Sequence, residues 1–147
     1  MQLVIDDHVL RAHLQGTLPA DVAELRAPGE PLWTTRRFQE RIRRALERLD
    51  DRSGVHRREV PAELRRAVLR RIDGAALLVD PESLASEMAA VEEATGYGVP
   101  LWIEALATAR LTGGLLVISR SNFSGRMPAR FGPASAAVGV EFRVTEL

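Results

Sequence analysis

The chain opens on a short apolar run, Gln2-Leu3-Val4-Ile5, that ends at once in two carboxylates, Asp6 and Asp7. An apolar helical spacing follows at Val9, Leu10, His13 and Leu14. This pattern predicts a buried strand over 2–5 that turns directly into a helix over 6–15, closed by Gly16. In open α/β sheets, ligands gather at the C-terminal ends of the strands. Asp6 therefore stands where a carboxylate can hold a metal ion or orient a substrate, and where it can also cap the helix that follows. Asp7 is expected to be a solvated acid in the first turn of that helix.

The rest of the chain repeats the alternation. A short helix is expected over 20–26, a loop over 27–31, and a long helix after Thr34-Thr35 with Phe38, Ile42, Ala45, Leu46 and Leu49 on its apolar face. A polar loop is expected over 50–58 and a further helix from Pro61. The continuous run Ala75-Ala76-Leu77-Leu78-Val79 predicts a strand buried on both faces. Helices are expected from Asp80 to about Ala94 and from Leu101 to Leu111, with Gly113-Gly114 as the stop. Leu115 to Ile118 reads as a strand, a short helix as running from about Pro133 to Val138, and Val140 to Val144 as the last strand. Strands alternating with helices imply α/β architecture: a three-layer α/β/α sandwich on a mostly parallel sheet, in a single domain spanning 1–147.

Composition narrows the functional classes. The 147 residues are 46% apolar and 27% charged, as in an ordinary soluble domain. The 20 basic residues, all arginine, are matched by 20 acids, so no net basic field exists to capture nucleic acid. The absence of cysteine excludes disulfides and thiolate chemistry. No apolar stretch spans a bilayer and the opening lacks a signal-peptide layout, so no membrane association is expected and the expected location is the cytoplasm. There is no Gly-rich phosphate loop to support a nucleotide-binding reading. Ser119 and Ser121 lack a His and Asp pair for nucleophilic catalysis.

Three stretches should meet at one edge of the sheet: Asp6, Glu104 in the helix Leu101–Leu111, and Ser119-Arg120-Ser121-Asn122 after the strand Leu115–Ile118. Glu40, in the long helix, is a fourth candidate, although a surface ion pair with Arg44 is the plainer reading. Glu104 interrupts an apolar helix, so it either faces a cleft or pairs with a buried arginine. Clustered strand-end carboxylates suit Mg²⁺ or Mn²⁺, which take oxygen ligands and activate water against phosphodiesters.

The segment Leu3-Val4-Ile5-Asp6-Asp7-His8-Val9-Leu10 resembles the opening of PIN domains. Leu101 to Ala109, followed by Gly113 to Ser119, resembles the acid-bearing helix of that family and its next strand. Ala136 to Phe142 is similar to its last helix and strand. The resemblance implies a PIN-like fold and, in active members, metal-dependent ribonuclease activity. Many bacterial members are VapC-type toxins paired with an antitoxin, and relatives often form homodimers. Carried over residue by residue, Asp6, Glu40, Glu104 and Asn122 would form the catalytic set. Asp6 and Glu104 would hold Mg²⁺ or Mn²⁺, while Arg120, Arg36 and Arg37 would meet RNA phosphate. Asn122 stands, with Arg120 and Ser121, where active members carry one or two Asp. The resemblance therefore leaves a second implication: a catalytically degenerate PIN-like domain acting as a binding or assembly module.

Overall fold

The sheet is built from alternation. In the computed structural model, which describes residues 1–51 and 62–147, β1 (Leu3–Ile5) is buried throughout. It lies between β2 (Leu32–Trp33) and β3 (Leu115–Ser119), and β4 (Phe142–Thr145) completes the order β2-β1-β3-β4. Every pairing is parallel, with Leu3 opposite both Leu32 and Leu115, and Leu116 opposite Phe142. The period-2 geometry of a strand sends Val4, Leu116 and Ile118 to one face and Leu3, Ile5, Leu115 and Val117 to the other. Both faces are covered, which is why β1 and β3 read as unbroken apolar runs.

Seven helices of the described residues form the outer layers. α1 (Asp7–Leu14), α2 (Ala20–Leu25) and α4 (Ala62–Ala75) pack Val9, Leu10, Val22 and Ile72 against one face. α5 (Pro81–Thr95), α6 (Pro100–Thr112) and α7 (Met127–Ala137) cover the other with Val91, Trp102, Leu106 and Phe131. α3 (Arg36–Asp51) straddles the sheet edge, placing Phe38 in one core and Ile42 in the other. Phe38, Trp102, Phe131 and Phe142 form a chain of edge-to-face rings at centroid separations of 5.5, 5.6 and 5.0 Å. Such pairs add about 0.5–1.5 kcal/mol each beyond their buried area.

Three expectations need correction. The run 75–79 is not a strand. α4 continues through Ala75, and Leu77 alone bridges to Trp33, through Leu77 N–H donating to the Leu32 carbonyl (2.7 Å) and Thr34 N–H to the Leu77 carbonyl (3.0 Å). Leu77 is 45% exposed, so the run lines the sheet edge rather than its interior. Asp80 then caps α5 through Ser83 N–H, which ends the extended stretch. The helix expected near Pro133 begins six residues earlier, with Pro128 in its first turn and Pro133 inside. The last strand starts at Phe142 rather than Val140. Of the loop expected over 50–58, Asp50 and Asp51 belong to α3, and its remainder lies outside the described residues, as does Pro61. Among the described residues no helix is long and apolar enough to cross a membrane.

Gly114 joins α6 to β3 where a side chain has no room. A Cβ there would stand 2.9 Å from Thr112 Oγ1 and 3.0 Å from the Gln2 carbonyl oxygen. Gly114→Ala is therefore expected to lower stability by about 1–3 kcal/mol, read from the midpoint of urea denaturation. His13 gives a pH dependence. Burial first, then the nearby charges of Arg26 and Arg71, hold its imidazole below the ordinary histidine value. The unfolded chain thus binds the proton more readily. The stabilising contribution is complete above the ordinary histidine value, about 6.5, and is lost as pH falls from there through the lowered value of the folded state. The melting temperature should fall over this range, and His13→Gln should flatten that part of the profile.

Candidate functional site

The strand ends converge as the sequence suggests, and hydrogen bonds show how. Thr34, at the end of β2, donates its hydroxyl to the Ile5 carbonyl at the end of β1 (2.9 Å). Thr35 caps α3 by accepting from Phe38 N–H (3.1 Å). The ends of β1 and β3 are tied by Asp6, whose residue is fully buried.

Asp6 Oδ1 accepts from Val9 N–H (3.0 Å) and so caps α1. Its Oδ2 accepts from Ser119 N–H, Ser119 Oγ–H and Asn122 Nδ2–H, each at 2.7 Å. A carboxylate offers about four lone-pair sites; here three of the protein's own donors crowd onto Oδ2 and one meets Oδ1. Asn122 also donates from Nδ2 to Asp7 Oδ1 (2.7 Å), while its Oδ1 accepts from Arg41 Nη1 (3.3 Å). This orients the amide: its NH₂ faces two acids and its carbonyl faces a guanidinium. Arg41 Nε also stands 3.5 Å from Asp7 Oδ2. Asp7, expected in solvent, is only 8% exposed. Asn122 and Arg41 provide the compensation that burial of its charge requires.

Glu104 belongs to a second set. It is 1% exposed among the apolar residues of α6. Its Oε1 accepts from Arg36 N–H (3.0 Å), so the carboxylate sits on the N-terminus of α3, where the helix dipole favours an anion. Its Oε2 accepts from Arg37 Nη1. Arg36, Arg37, Glu40 and Glu104 line a cleft of about 280 Å³, walled by Leu78, Val79 and Leu84. Asp7 and Arg41 line a separate groove of about 230 Å³ between α1 and α3. Asp6 opens into neither.

The candidate residues therefore share a sheet edge but divide between two hydrogen-bonded groups. Asp6 and Asn122 are in one, and Glu104, Arg36 and Arg37 are in the other. Glu40 is exposed at the cleft. Arg120 lies at the exposed rim, where it donates from Nε and Nη2 to Glu146 Oε1 at 3.2 and 3.0 Å. Among the described residues no group of three or more acid or histidine side chains is placed to hold a metal ion together. Sequence reasoning did not single out Arg41 as a partner of Asp7. The available signal was the spacing of Arg37 and Arg41, which puts both on one face of α3.

The donor set does not suit Mg²⁺ or Mn²⁺. Such an ion needs free oxygen lone pairs. Here Asp6 Oδ2 already accepts three hydrogen bonds, Glu104 carries a guanidinium, and Asn122 turns its N–H groups towards the acids.

No family model matches this sequence, and no curated protein matches it. Solved structures do. The chain is similar to one in the structure of FitAB bound to the IR36 DNA fragment, with a TM-score of 0.60 at 16% identity over 97% of this chain and 94% of the other. It is also similar to one in VapBC-1 from nontypeable Haemophilus influenzae, with a TM-score of 0.57 at 10% identity over 98% of each chain. The fold is PIN-like, a three-layer α/β/α sandwich on a parallel sheet, and at these identities the likeness speaks to the fold alone.

Truncating the two acids should separate their roles. Asp6→Ala leaves buried donors on Ser119 and Asn122 without an acceptor and removes the cap of α1. A loss of about 3–5 kcal/mol is expected. Glu104→Gln keeps an acceptor for Arg36 N–H, and Arg37 is 45% exposed, so screening limits the loss to about 1 kcal/mol. Chemical denaturation of the two variants against the wild type measures the difference.

Proposed function

We propose that this chain is a PIN-like binding module, the partner-holding component of a toxin–antitoxin-type pair, in which the strand-end acids serve structure rather than divalent-metal hydrolysis. The observation that carries this reading is Asp6, whose carboxylate is fully buried and accepts four hydrogen bonds from Val9, Ser119 and Asn122. A divalent ion at Asp6 Oδ2 would have to displace at least one of its three donors and meet the guanidinium on Glu104 or Asp7 at once. Partner binding is supported by the whole-chain likeness to chains of FitAB and VapBC-1, the first of which is described bound to a DNA fragment. The partner of this chain would be an antitoxin protein, in the cytoplasm.

One observation favours the metal-dependent ribonuclease reading. Asp6 and the Arg36–Glu104 contact lie at the C-terminal ends of neighbouring strands, the edge at which open α/β sheets place ligands. In that reading Asp6 and Glu104 hold Mg²⁺ or Mn²⁺, Glu40 and Asn122 complete the pocket, and Arg36, Arg37 and Arg120 contact RNA. A homodimer is compatible with either reading.

Two measurements on the wild-type chain decide between them. The binding-module reading expects no change in melting temperature on titration with Mg²⁺ or Mn²⁺ to millimolar concentration, and no cleavage of single-stranded or structured RNA in either metal. A metal-dependent rise in melting temperature, with cleavage abolished by Asp6→Asn, contradicts it.

A further inference from the structure

The mismatch between this site and a divalent ion has an identifiable cause in α3. We infer that Arg41 is a tethered counter-cation, which fixes the Asn122 amide and thereby closes a cation seat between Asp6 and Asp7. The inference rests on the binding-module reading and adds the residue responsible for it.

Two carboxylate oxygens meet at this point. Asp6 Oδ2 and Asp7 Oδ1 each lie 2.7 Å from the same Asn122 Nδ2, so a single N–H₂ group occupies the space between two carboxylates. An amide can turn about its terminal torsion and present its carbonyl instead. Arg41 opposes that turn. Its Nη1 donates to Asn122 Oδ1 (3.3 Å), and its Nε approaches Asp7 Oδ2 (3.5 Å). With the guanidinium present, a turned amide would put its N–H groups against a cation. It would also bring a divalent ion into like-charge repulsion with Arg41. Without it, Asn122 Oδ1 can rotate to join Asp6 Oδ2 and Asp7 Oδ1 as three hard oxygen donors, the ligand type that Mg²⁺ and Mn²⁺ take, with water completing the shell.

Arg41 is the appropriate residue to change because its side chain is 41% exposed, so its loss leaves a water-accessible gap. Arg37 pairs with Glu104, whose side chain is 2% exposed, and its removal would strand a buried charge.

The test is Mn²⁺ titration of the full chain, followed by melting temperature and by the loss of the free-ion Mn²⁺ electron paramagnetic resonance signal. The wild type should stay flat in both. Arg41→Met should take up one Mn²⁺ and rise by about 5–10 °C at saturation. Arg41→Lys, which restores a cation, should stay flat, and Asp7→Asn added to Arg41→Met should abolish the uptake. If Arg41→Met does not fold, Arg41→Leu carries the same expectation, because it too removes both the donor to Asn122 and the charge. A flat Arg41→Met or Arg41→Leu overturns the role of Arg41 while leaving the binding-module reading intact. Uptake by the wild type overturns that reading and the inference together. Uptake by Arg41→Lys equal to that of Arg41→Met overturns the counter-cation role alone.

Discussion

One fully buried carboxylate organises the C-terminal edge of the sheet. Asp6 caps α1 through Val9 N–H, draws the end of β3 to the end of β1 through Ser119, and anchors the turn at Asn122. A buried charge is tolerated when hydrogen bonds replace its hydration, and hydrogen bonds to charged groups are worth more than neutral ones. The geometry that lets Asp6 be buried is also what occupies its Oδ2.

The same principle extends along α3. Its N-terminus and Arg37 neutralise Glu104, and one turn later Arg41 and the Asn122 amide neutralise Asp7. A PIN-like frame thus brings acids to a common edge, while a single arginine-bearing helix supplies the positive charge there. Glu104 illustrates the energetics. An acid in the middle of an apolar helix needs a partner, and the partner comes from a helix N-terminus whose N–H groups have no intrahelical acceptor.

Much of the frame could be read from the sequence because it follows local periodicity. β1 and β3 are apolar runs bounded by turn residues, and Asp6 marks the strand-to-helix junction. The run 75–79 misled because four or five apolar residues do not distinguish a buried strand from the end of a helix and an edge segment. The site was less legible because its partners are remote in the chain: Asp6 meets Asn122 across 116 positions. Asp7 looked like a solvated first-turn acid, and nothing nearby in sequence indicates that Asn122 and Arg41 close over it. Nothing local in the sequence marks which arginines of α3 turn inward, and only the packing of α3 against the strand ends aims two of them at acids.

The most direct test of the account is a crystal structure of the wild-type chain soaked in Mn²⁺ and measured at an energy where manganese scatters anomalously. The account predicts no anomalous peak at the strand ends, with the Asn122 NH₂ group still between Asp6 and Asp7 and Arg37 still on Glu104. A manganese peak within bonding distance of the Asp6 carboxylate, with those donors swung away, would contradict it.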